Sequence, residues 1–155
     1  MNIWEIRKVF EAVIVDELME TSKALNELSK KAKAWHHPPK YPQIPKEIQI
    51  APNAILFVSI APADGTLRLK CKFEKREEVI YHESHASVLA RDLLLRVGYE
   101  PREAKRILDA ISSIRAWAIQ AQNEIEGEIR KMFEEQIEEV EFFLAEWSMR
   151  RLSDD

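Results

Sequence analysis

The residues with the most concentrated chemistry are His82-Glu83-Ser84-His85. Two imidazoles three positions apart share one face wherever the chain is helical, and neutral imidazole is a common zinc ligand. Together with His36 and His37 the chain holds four imidazoles, enough donors for one zinc ion. The expectation is a metal site at His82 and His85, and a metal-dependent hydrolase using the His82/Glu83/His85 cluster. The competing reading is two unrelated surface pairs at loop ends, because His82 falls where a strand ends and a helix begins.

The same tetrapeptide is one residue short of the H-E-x-x-H pattern of zinc proteases. Arg76-x5-His82 resembles the R-x4-6-H spacing of helical HEPN ribonucleases, whose motif opens a helix; here it spans a turn and a strand. Leu94 to Ala104, with Gly98-Tyr99 at its centre, resembles the helix–Gly-Tyr–helix turns of UBA-type domains, and ordinary helix stop and start signals produce the same string. Acid groups such as Asp16-Glu17 with Glu20, and Glu134-Glu135 with Glu138-Glu139, read as solvated helix faces. Cys71 alternates with Leu69 and Phe73, which predicts a buried, inert thiol. The three glycines, Gly65, Gly98 and Gly127, are far apart. Phosphate-cradling loops need clustered glycines, so a P-loop, a dinucleotide fingerprint and a kinase Gly-rich loop are excluded, and no cofactor is expected.

Charge is segregated along the chain. Lys23 to Lys40 holds five lysines against Glu27, and Thr66 to Arg76 holds five basic residues against Glu74, a local +4 in each. Glu124 to Glu146 holds nine glutamates against Arg130 and Lys131, a local −7. Formal net charge is −4, so the molecule is not a basic nucleic-acid binder as a whole. A local nucleic-acid site is expected at Lys31, Lys33, Trp35 and Lys40 with the strand face Arg68/Lys70/Lys72, because aromatic rings stack on bases and lysines neutralise phosphates. The alternative is a set of solvated faces that keep the protein soluble. A single cysteine forms no internal disulfide, which points to a reducing, cytoplasmic setting. Neither a signal peptide nor a membrane span is expected.

These groups must be positioned by the elements around them. Asn2 and Glu5 form a capping-box pair. The apolar stripe Ile6, Phe10, Ile14, Leu18, Leu25, Leu28, Ala32, Trp35, with Thr21 in its gap, predicts a helix to about Ala34, ended by Pro38 and Pro39. A Pro-rich connector is assigned to 36–53 and a three-stranded antiparallel meander to 54–82. Its first strand, 54–60, is apolar on both faces. An Asp64-Gly65 turn leads into alternating Leu67, Leu69, Cys71 and Phe73. Ser84 is expected to cap a helix that stops at Gly98, and Pro101 to open a long last helix. The fold class is mainly α (α+β), a single domain over 1–155, with long antiparallel helices and a small meander inserted after the first.

The last helix carries more apolar groups than one partner can bury, so either it breaks near Gly127 or a second chain covers it. The expected oligomer interface is Ile129, Phe133, Ile137, Val140, Phe143 and Trp147. The leading function is a non-enzymatic helical assembly or adaptor protein that self-associates through this helix. The alternatives are a small helical subunit binding a nucleic-acid backbone within a larger complex, and the hydrolase above. In outline the chain is similar to helical small subunits of RNA-guided effector complexes, some of which carry a small β insertion. Expected partners are a second copy, with nucleic acid or another protein as further possibilities, and no membrane.

Overall fold

The computed structural model describes residues 1–154. Its elements run α1 (Ile3–Trp35), β1 (Ile48–Ala51), β2 (Ala54–Ile60), β3 (Leu67–Lys72), β4 (Glu77–Val79), α2 (Glu83–Arg96) and α3 (Pro101–Asp154). The mainly helical architecture with an antiparallel sheet after the first helix is as expected. The chain forms two compact units, one to Gln122 and one from Asn123.

In the first unit, α1 starts where the capping box places it. Asn2 Oδ1 accepts the Glu5 N–H at 3.0 Å, and Glu5 Oε2 accepts the Asn2 N–H at 3.2 Å. The stripe Ile14, Leu18, Thr21, Leu25, Leu28, Ala32 is buried. Thr21 Oγ1 donates to Ile111 O at 3.4 Å, which satisfies the one polar group in the stripe.

The sheet is a four-stranded antiparallel meander in the order β1-β2-β3-β4, one strand more than the sequence predicts. The extra strand lies inside the Pro-rich connector. Ile48-Gln49-Ile50-Ala51 pairs with β2 through a two-residue Pro52-Asn53 loop, with Asn53 in the left-handed region at φ 56°. Pro52 ends a strand here without excluding one before it. Residues Ile50, Ala54, Leu56, Val58, Leu67, Leu69 and Cys71 are buried on the inner face. β2, although apolar on both faces, is therefore fully buried on one side only; Ile55, Phe57 and Ser59 are half-buried on the other.

α1 seals β3 where β4 stops short. Ser29 Oγ accepts the Leu67 N–H at 2.8 Å and donates to Leu25 O at 2.9 Å. Ser22 Oγ donates to Ile80 O at 3.0 Å, just beyond β4.

α2 begins one residue before the expected cap. His82 is the N-cap, without a side-chain cap bond, and Ser84 lies inside the helix. Gly98 at φ 68° and Tyr99 at φ 54° turn the chain, with the Tyr99 N–H donating to Leu94 O at 2.9 Å. α2 runs antiparallel to α1, with Arg91 3.7 Å from Glu11.

α1 and the first part of α3 run in the same direction, contrary to the expected antiparallel pairing. The bonds that join α1 to α3 and to Tyr99 just before it, Tyr99 to Glu11, Thr21 to Ile111, Arg115 to Glu17 and Gln122 to Ala24, all join residues 88 to 98 apart in sequence. An antiparallel pair would give a steadily changing separation. The reason is topological: α2 is an additional reversal between them.

In the second unit, the chain from Asn123 is α-helical as part of α3, through Gly127. Among the described residues, no helix is long and apolar enough to cross a membrane.

Candidate functional site

The predicted basic groups separate into two sets. Strand register puts Arg68, Lys70 and Lys72 opposite Ser59, Phe57 and Ile55, on the sheet face away from the buried Leu67, Leu69 and Cys71. Phe57 lies in the middle of this face, beside Lys70, and sequence reasoning missed it as a surface group. No alternation within Ala54–Ile60 marks Phe57 as outward-facing; the pairing register with β3 does. Lys70 is 3.6 Å from Glu77, and Arg68 lies over the Tyr81 ring at 5.4 Å to the centroid. Arg68 and Tyr81 also line a groove of about 570 Å³ with Ser22, Lys23, Asn26 and the acidic Glu20.

The second set, at the C-terminal end of α1, is engaged within the fold. Lys31 donates to Gln122 at 3.2 Å. Lys33 donates to Thr66 Oγ1 and lies 3.5 Å from Asp64. The Thr66 N–H, first, and the Thr66 hydroxyl and Lys33 with it hold the Asp64 carboxyl below its usual range. The neighbouring Tyr41 hydroxyl donates to Gly65 O at 2.6 Å, and burial pushes its pKa up. Trp35 meets His36 edge-on at 5.4 Å, and Lys40 is exposed. Lys33 and Tyr41 thus clamp the β2–β3 turn that leads into Arg68.

The structure brings His82 and His85 together. Their rings stack with centroids 5.4 Å apart, and Tyr81 meets His85 edge-on at 6.2 Å. Among the described residues no three His, Cys, Asp or Glu side chains converge on a metal position. Catalytic zinc takes three protein ligands and leaves one position open, and this pair offers two. Arg76 is held by Glu78 at 3.2 Å and Asp92 at 3.1 Å, and stacks on Phe73. Cys71 is fully buried, and burial pushes its thiol up to about 12, with Asp92 adding to the rise, so it does not supply a thiolate near neutral pH.

The second unit carries the other candidate. Phe133, Ile137, Val140, Leu144 and Trp147 are each 52–56% exposed, and their steps of four and three residues form one stripe on the helix. Of the remaining predicted interface residues, Ile129 is half-buried and Phe143 is 61% exposed on the stripe's flank. Leu144 completes the stripe. Phe142, Met149 and Leu152 are exposed outside it. Comparison with protein-family models, with curated protein sequences and with solved structures yields no match.

Proposed function

We propose that this chain is a non-enzymatic assembly protein whose C-terminal helical segment, from Asn123 onward, pairs with a second copy. The observation that carries this reading is the stripe Phe133, Ile137, Val140, Leu144, Trp147: five large apolar side chains at heptad spacing, all more than half exposed. Monomeric proteins rarely leave such a stripe open, and covering it removes apolar area from water on both partners. The first unit is then the adaptor part, and a single cysteine, Cys71, fits a reducing compartment such as the cytoplasm. Sedimentation at two protein concentrations tests this. A mass of two chains that falls on dilution is expected, and a single-chain mass at both concentrations removes the reading.

A second reading, a nucleic-acid backbone held by the first unit, is favoured by the outer sheet face, where Arg68, Lys70 and Lys72 stand beside Phe57 and Arg68 stacks on Tyr81. Fluorescence anisotropy of labelled single strands, titrated at low and moderate salt, tests it. Binding that weakens steeply with salt and is lost in Arg68→Ala supports it. An unchanged anisotropy at low salt removes it.

A further inference from the structure

Building on the self-pairing reading, we propose that two copies pair antiparallel, with Phe133 of one against Leu144 of the other and Ile137 against Val140. The argument lies in the charges at the two ends of the stripe. Continuing its steps of three and four residues backward from Phe133 reaches Arg130 and then Glu126; continuing forward from Trp147 reaches Arg151. The full seam therefore reads Glu126, Arg130, Phe133, Ile137, Val140, Leu144, Trp147, Arg151.

A parallel, in-register pair sets each of these against its own copy. Arg130 would face Arg130, Arg151 would face Arg151 and Glu126 would face Glu126, so three seam layers would bring like charges together. Reversing one chain about the midpoint between Ile137 and Val140 changes every one of these layers. Arg151 then meets Glu126, an ion pair, and Arg130 meets Trp147, a guanidinium on an indole face. The four central residues meet only apolar groups. The seam is a palindrome of complementary chemistry, and it is complementary in this direction alone.

The wider charge layout has the same sense. The basic pair Arg150-Arg151 is brought to the acidic start of the segment, Glu124, Glu126 and Glu128. Arg130-Lys131 is brought to Glu146 and Trp147. The reversed arrangement sets Glu134 against Glu141 on the rim, once on each side of the two-fold axis, where both are exposed and salt screens them.

Single-cysteine exchange tests the direction and register. Phe133→Cys and Leu144→Cys chains are made separately, one with a mass tag, then mixed and oxidised at a concentration where the parent is paired. Both positions are exposed, so neither substitution removes a core side chain, and the native Cys71 is fully buried. The expected product is a mixed disulfide joining a Phe133→Cys chain to a Leu144→Cys chain, with little homotypic product from either chain alone. Homotypic disulfides in place of the mixed one mean parallel pairing and overturn the proposal while leaving self-pairing intact. A paired protein that gives neither product has a different register and also overturns it. A single-chain mass for the parent by sedimentation overturns both this proposal and the self-pairing on which it rests.

Discussion

Ser29 holds the seam between α1 and the sheet, and its removal has a cost that follows from two bonds. Its Oγ is the acceptor for the Leu67 N–H at 2.8 Å, where β3 has no β4 neighbour, and both residues are buried. In Ser29→Ala the Leu67 N–H loses this partner in a buried place where water does not replace it. An orphaned buried donor costs about 1–3 kcal/mol. The Leu25 carbonyl loses the 2.9 Å hydroxyl bond but lies mid-helix, where the backbone ladder already uses it. Alanine recovers roughly 0.5 kcal/mol of helix propensity. The net expectation is a loss of about 1.5 kcal/mol. With a urea slope of about 2 kcal/mol per M, the unfolding midpoint falls by about 0.7 M. Urea unfolding followed by circular dichroism measures the midpoint, and hydrogen exchange reads the Leu67 amide directly. Ser113→Ala is the control: its residue is exposed and its hydroxyl donates to Ala110 O of its own helix, so the change stays within about 0.5 kcal/mol. A Ser29→Ala midpoint within about 0.2 M of the parent, with the Leu67 amide equally protected, would refute the claim that this hydroxyl seals the strand edge.

Three further outcomes are expected. Gly65→Ala destabilises by at least about 1–2 kcal/mol in a thermal melt, because φ is 74° and a Cβ would lie 2.5 Å from Pro39 Cγ; an unchanged melt refutes the close approach. Cys71 resists maleimide at pH 8 until the chain is unfolded. Its folded thiol, raised from 9.0 to about 12, keeps a proton that the unfolded chain gives up, so stability present below about pH 9 declines as pH rises toward 12. Tyr41 and Tyr99, also raised, contribute with the same sign, and Cys71→Val flattens only the thiol's share of the slope. Rapid labelling of the native protein would contradict this. Finally, Val140→Glu gives a single-chain mass at concentrations where the parent pairs, with helix content unchanged because Val140 is 56% exposed; persistent pairing would place the seam elsewhere.

Much of the fold is local and was legible in the chain. The Asn2–Glu5 box, the paired prolines after α1, the left-handed glycine of the Asp64-Gly65 turn and the alternation of β3 each act over a few residues, so the types and spacing of those residues determine them. The exposed stripe from Phe133 to Trp147 was legible for the same reason, since a 3.6-residue period alone sets which side chains share a face. What tertiary structure decided depends on partners distant in sequence. β1 is four residues between prolines, and only pairing with β2 makes it a strand. The common direction of α1 and the first part of α3 comes from the packing of α2 between their sequences. Lys31 and Lys33 look like free cations in a basic run, yet Gln122, Thr66 and Asp64, each more than 30 residues away, occupy them. Phe57 looks like core until the register shows that its strand is covered on one side only. Charge and apolarity are properties of a residue, whereas engagement and exposure depend on what the folded chain sets beside it.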